Sequence, residues 1–175
     1  MQAARSFAAW YDAHLTTSPI VTKSVTSCGL FGVGDGLAQG IEGGEAVDGG
    51  RLARMMTFGG LVATPSHHWY NFLDRLVTGA GGGAVARKVL LDQLTWTPVM
   101  TFSFFNFQNV CGGMAVSESV PDASGKLLPT LKVNWVVWPF VHVVTFGAVP
   151  LPYRILWINC CSCFWSAYLS LQAKS

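Results

Sequence analysis

Long apolar runs separated by short polar or glycine-rich breaks make up most of this chain. The run with the fewest charges is Val133 to Arg154 (VNWVVWPFVHVVTFGAVPLPYR), with no Asp, Glu, Lys or Arg between Lys132 and Arg154. A helix of that length and composition can cross a bilayer. Trp135, Trp138, His142, Thr145 and Val149 recur at helical spacing, which puts an aromatic and polar stripe on one side and Val136, Phe140 and Val144 around the rest. Pro139 has no N–H and frees the carbonyl of Trp135, a fault tolerable in lipid only where neighbouring helices or water satisfy that oxygen. The span therefore predicts packed partners.

The same reading applied from the N-terminus predicts an interfacial helix within 1–18, spans over 19–41, 52–74, 88–116 and 130–150, and a C-terminal apolar helix over 153–172. In the first segment Phe7, Trp10 and Leu15 are expected in the interface and Arg5, Asp12 and His14 in water, with Pro19 ending the helix. In the second, Ser24, Cys28, Gly32, Gly36 and Gly40 fall every fourth residue and form a ridge of small side chains for close helix packing, flanked by Asp35 and Gln39. Glu42 to Gly50 reads as a loop. In the next span Gly60, Thr64, His67, Asn71 and Asp74 share a face, and Trp69 and Tyr70 suit the membrane interface. Gly79 to Gly83 reads as a turn and Ser117 to Leu128 as a polar loop. Between them Asp92, Thr95, Val99, Phe102, Asn106 and Asn109 form a stripe expected to point into the bundle. Pro65, Pro98, Pro139 and Pro150 mark expected kinks or breaks. The fold class is all-α: an integral membrane bundle of four to five apolar helices plus an amphipathic interfacial helix.

Composition narrows the function. The chain has 175 residues, 51% hydrophobic and 11% charged, whereas soluble domains carry about a quarter charged residues. A net charge of +2 without a basic run offers no footprint for nucleic acid. Five Cys, an odd number with no His at zinc-site spacing to them, argue against a disulfide framework or a structural metal, and His67-His68, adjacent on a helix, point about 100° apart and cannot chelate together. Met1 to Ser18 lacks the apolar core of a cleavable signal peptide. No nucleophile–base set, phosphate loop or carboxylate pair is visible, so neither an enzyme nor a cofactor is expected.

Several motifs together carry a resemblance. Trp135-x-x-Trp138-Pro139, Val149-Pro150-x-x-Tyr153-Arg154 and Trp165-x-x-Tyr168-Leu169-Ser170 form a composite C-terminal signature. Upstream stand Pro19 with Thr22, Gly34-Asp35 with Gln39, Asp48 with Arg51 and Arg54, Pro65 with His68-Trp69-Tyr70 and Leu73-Asp74, then Lys88, Asp92-Gln93 and Pro98. With these the chain resembles, over nearly its whole length, the Mpv-seventeen and twenty-two-kilodalton peroxisomal membrane protein family. It departs from the family pattern at His142 and Thr145, where the family usually carries Gln and Asn, so a role of those amides does not transfer. The resemblance implies a multi-pass protein of an organellar membrane, mitochondrial inner or peroxisomal. Arg5, with no acid before Asp12, points to the mitochondrion.

Ionisable groups within or near the membrane are functional candidates because isolated burial is expensive. Asp35, His67, Asp92, His142 and Arg154, with Gln39, Asn106 and Thr145, are the candidate pore or buried polar network. The plainer reading is structural pairing, with Lys88 or Arg154 as the cation beside Asp92. Two functions follow: a channel-like protein passing ions or small metabolites, which the resemblance implies and the stripes permit, or a non-catalytic subunit docked on a larger membrane complex. The partners expected are membrane lipids, subunits of such a complex, or a second copy of the chain.

Overall fold

The structure is a computed structural model that describes residues 2–43, 46–79 and 81–172, with side chains described for 9–43, 46–79 and 81–165. Arg5, Phe7, Tyr168, Leu169 and Ser170, named above for their side chains, lie outside those described side chains. Every regular element among the described residues is helical: α1 (Gln2–Thr17), α2 (Pro19–Glu42), α3 (Gly49–Leu76), α4 (Gly82–Leu91), a π-helical turn (Asp92–Trp96), α5 (Thr97–Cys111), α6 (Val116–Gly147), a 3-10 turn (Leu151–Tyr153) and α7 (Arg154–Gln172). They form two compact units, residues 1–68 with 151–175, and residues 69–150. By length and composition one of the described helices, α6, is able to cross a membrane.

In the first unit the chain stops and restarts at Pro19. Its fixed φ and missing N–H suit the first turn of a helix, and α1 ends at Thr17 with α2 beginning on the proline. Tyr11 and Leu15 of α1 are buried against protein, and Trp10 is exposed. Gly43 closes α2 in the left-handed region at φ 73°, its N–H reaching the carbonyl of Gln39.

The packing of α2 involves two faces. Ideal Cβ positions at Gly32 and Gly60 lie against Met56 and Cys28 respectively, so the N-terminal half of the small-residue ridge meets α3. A Cβ at Gly34 would stand 3.3 Å from the Cα of Cys163, so α7 approaches α2 closely on a second face that includes the buried Ser27 and Ala38. Cβ positions at Gly36 and Gly40 meet nothing within 4 Å. The approach to a neighbouring backbone therefore sits at Gly34, off the every-fourth-residue ridge, whereas a Cβ at Gly32 on the ridge would meet the side chain of Met56 at 2.8 Å. The pattern shows a stripe of small residues, and the position of the partner helix decides which of them is used.

In the second unit α5 packs along α6, and α4 also meets α6. Ser117 to Leu128 is helix and not a loop, because α6 starts at Val116. Its polar residues bond to the polar end of α5: Ser119 Oγ donates to Asn106 Oδ1 at 2.9 Å, and Asn109 Nδ2 donates to Asp122 Oδ2 at 2.7 Å. Asp122 also holds Lys126 one turn on, at 2.6 Å, and Glu118 lies in the first turn, where the helix dipole favours an acid. The expected segment 88–116 runs instead from Gly82 to Cys111 with a π turn inside it. The helical assignment continues through Pro65 and Pro139, whereas Pro150 sits at the break before the 3-10 turn.

Enlarging Gly34 forces a side chain into the backbone of α7, whereas Gly36 faces open space. Gly34→Leu is expected to destabilise by about 1–3 kcal/mol and Gly36→Leu by less than about 0.5 kcal/mol, measured as unfolding of the purified chain in detergent. Equal losses would contradict the packing described.

Candidate functional site

The most completely buried acid of the second unit is Asp92, with no exposed surface, and it opens the π turn. The turn is a consequence of Pro98. A proline at that position has no N–H for the carbonyl of Leu94 and its ring crowds that carbonyl, and a wider turn relieves the conflict. The N–H of Thr97 bonds to the carbonyl of Asp92, five residues back. The extra residue shifts the phase of everything after it. Thr95 and Val99, expected on the inward stripe with Asp92, are exposed, and Thr97 comes round to its carboxylate instead.

Donors from three segments converge on that carboxylate. Trp69 Nε1 at the end of α3 donates to Oδ1 at 2.8 Å, and His142 Nε2 of α6 lies 3.2 Å from Oδ2. Gln93 Nε2 and the hydroxyl of Thr97 also reach Oδ2, at 3.3 and 3.4 Å. The ring of Trp69 stacks on Trp96 at 5.3 Å, and His142 stacks on Phe146 at 5.6 Å, so both donors are held by aromatic neighbours. Because a carboxylate only accepts, His142 carries a proton on Nε2. Its Nδ1 and the Oε1 of Gln93 are buried with no partner among the described residues. Trp135 Nε1 donates to the carbonyl of Gln93 at 3.3 Å, tying α6 to the same turn. The site is thus a buried acid and imidazole whose surroundings retain two unused acceptors.

The expected cation beside Asp92 is not Lys88. Its ammonium goes to Asp74 at 2.7 Å, joining α4 to the end of α3. Thr145, with no exposed surface, gives its hydroxyl to the carbonyl of Val141 one turn back, and Asn106 serves Ser119. Of the candidate network in this unit, the structure brings Asp92 and His142 into direct contact and places Asn106 in a separate pair.

In the first unit Asp35, 1% exposed, accepts from Arg51 Nε at 2.7 Å and from Gln39 at 2.7 Å. Gln39 also clasps the backbone of Asp48 at both its N–H and its carbonyl, and Arg51 reaches Glu42. These bonds close the connection between α2 and α3. His67 receives a bond from Lys23. Asn159 donates to Ser27 at 2.6 Å, and Arg154 is buried at the start of α7. The half-buried Tyr153 donates its hydroxyl to Asp12, which raises the phenol above its ordinary pKa and fastens α1 beside α7.

Residues absent from the candidate network are Trp69, Gln93, Thr97, Lys23 and Arg51. Arg51, Trp69 and Gln93 stand among the motif residues of the resemblance, and the other two had a different signal in the sequence. Pro98 inside a helical run announces a wide turn that would bring Thr97 onto the face of Asp92. Lys23 is a lone cation with no acid three or four residues away on its helix.

Residues 109–170 match the model of the Mpv17 / PMP22 family. Relatives align over almost the whole chain. Protein SYM1 of Gibberella zeae is 36% identical over 94% of this chain and 96% of its own length. PXMP2/4 family protein 2 of Dictyostelium discoideum is 33% identical over 91% and 87%. Mitochondrial inner membrane protein Mpv17 of Danio rerio is 30% identical over 94% and 95%. No solved structure matches the chain.

Leaving Asp92 buried without its imidazole should be costly. His142→Ala is expected to destabilise by about 3–5 kcal/mol where the site is dry. In a cycle of Asp92→Asn, His142→Gln and the double change, the coupling should be about 0.5–3 kcal/mol by denaturant unfolding in detergent. Strict additivity would show that the contact carries no energy.

Proposed function

This chain belongs to the Mpv17 / PMP22 family, and from that premise we propose that it is a multi-pass protein of an organellar membrane that passes ions or small metabolites. The zebrafish relative's name places that protein in the mitochondrial inner membrane, and the proposal assigns this chain the same membrane. In this reading α2, α3, the run Gly82–Cys111 and α6 supply the spans, although α6 alone meets the demand of length and apolar composition unaided. Its outward residues support integration: Val136 and Phe140 are 67% and 74% exposed, whereas His142 and Thr145 of the same helix are buried. A helix with its polar side chains inside and its large apolar ones outside suits lipid.

The observation that carries the conduction reading is the Asp92–His142 cluster with its two unused buried acceptors, His142 Nδ1 and Gln93 Oε1. Such atoms are stabilised by water, and a chain of waters past an acid and an imidazole is a path for small charged or polar solutes. A second reading, a non-catalytic subunit of a larger complex, is favoured by α2. Val33 and Leu37 are exposed there, and Gly36 and Gly40 open on bare space, a surface another helix could approach closely.

Flux of cations through purified protein in liposomes separates the readings. Conduction in the parent is expected to fall as the pH is lowered, as a charge added at His142 raises the barrier in a low-dielectric passage. The charged group in contact with that imidazole is Asp92. His142→Gln should conduct without that dependence. A well-folded parent that conducts nothing would leave the subunit reading.

A further inference from the structure

Lys23, one turn into α2, is only 4% exposed. Its Nζ lies 2.9 Å from His67 Nδ1. An ammonium has three donors and no acceptor, so the imidazole accepts through Nδ1 and keeps its proton on Nε2. The partner of this buried cation is therefore a neutral ring that fills one donor of three.

No described carboxylate of the unit supplies the missing charge. Asp12 takes the hydroxyl of Tyr153, Asp35 and Glu42 take Arg51, and Asp48 takes the backbone N–H of Arg51. A lysine shielded from water in this way is stable as a cation only when a counter-charge and further acceptors are brought to it. The surroundings favour an anion. The start of α2 at Pro19 turns the positive end of its dipole toward this part of the helix. His67 is half-buried and His68 exposed, their rings 5.3 Å apart, so two imidazoles lie at the outer edge of the site.

We propose that Lys23, with His67, binds a phosphate-type oxyanion. A tetrahedral oxyanion offers several acceptor oxygens and can fill both remaining ammonium donors at once, which a single-point acceptor does not. The phosphate comes either free, as inorganic phosphate or a phosphate ester, or from a phospholipid headgroup, since Lys23 stands near the start of α2. The site is built from residues other than Asp92 and His142 and stands whether or not the chain conducts.

The test uses the full chain in a phosphate-free maltoside detergent. One arm adds inorganic phosphate, with potassium gluconate and potassium chloride at equal ionic strength as controls; the other adds phosphatidylglycerol to the micelles. The unfolding midpoint is expected to rise in one arm or both. A rise in the first identifies free phosphate as the source, and a rise in the second alone identifies the headgroup. Lys23→Met should raise the half-effect concentration at least about tenfold, the scale of one lost hydrogen bond to a charged group, while His67→Gln, which keeps an acceptor for Nζ, should still respond. Acylation of the parent followed by peptide mass spectrometry gives a readout that needs no variant: the active ligand should slow labelling of Lys23 and leave the half-exposed Lys126 unchanged. The proposal is overturned by a midpoint that follows ionic strength alone, by a response to chloride equal to that to phosphate, by a Met variant that responds like the parent, or by Lys23 labelling that neither ligand slows.

Discussion

A carboxylate taken wholly out of water must be surrounded by donors, and the second unit is arranged to meet that demand at Asp92. The donors are an indole from α3, an amide from the π turn, a hydroxyl from the start of α5, and an imidazole from α6. Each donor constrains the segment that bears it. Trp69 sets the end of α3, the wide turn brings Thr97 round, and His142 sets the rotation of α6, which in turn buries Thr145 and leaves Phe140 outside. Neutral donors and one titratable ring replace the lysine that usually neutralises a buried acid, so the site is polar without holding a strong permanent cation. Lys88 is thereby available for Asp74 and the connection into α4.

The first unit meets a different constraint, the close approach of helical backbones. Small residues let α2 receive α3 on one side and α7 on another, with Gly34 where the backbone of α7 comes nearest. Hydrogen bonds then lock the arrangement: Asn159 to Ser27 between α7 and α2, and the cage of Arg51, Asp35 and Gln39 at the turn into α3. Pairing Asp35 with an arginine that also holds Glu42 gathers those two acids at the turn into α3. This leaves Lys23, nearer the other end of α2, with an imidazole alone.

The distribution of polarity is that of a protein for which lipid is the solvent. Large apolar side chains such as Val25, Leu61, Phe140 and Phe164 are exposed, while Lys23, Asp35, Asp92 and His142 are buried. Packing small and polar groups inward is economical there, because lipid gives no hydrophobic incentive to bury Leu or Val but strongly penalises an unpartnered charge. Both functional readings draw on this inversion. Conduction depends on how the buried polar atoms are hydrated, and docking depends on what covers the open face of α2.

Periodicity along the chain was enough to predict the all-helical class and the helical stripe that carries His142 and Thr145, because helical spacing is a local property of the backbone. The motifs spread from Pro19 to Ser170 pointed to the family, and its relatives align along the same length. What tertiary structure decided is which side chain meets which. Ser117 to Leu128 looks like a loop by composition and becomes helix because Asn106 and Asn109 of α5 bond to it. Thr95 looks like a neighbour of Asp92, but one extra residue in the π turn rotates it outward and brings Thr97 in. Gly36 looks like a packing residue as much as Gly34 does, until the position of α7 chooses between them. Lys88 stands one turn from Asp92 in the sequence and bonds to Asp74 of another helix. Spacing states which residues share a face of one helix, whereas partnership between helices depends on their rotation and approach, which arise only when the whole set packs together.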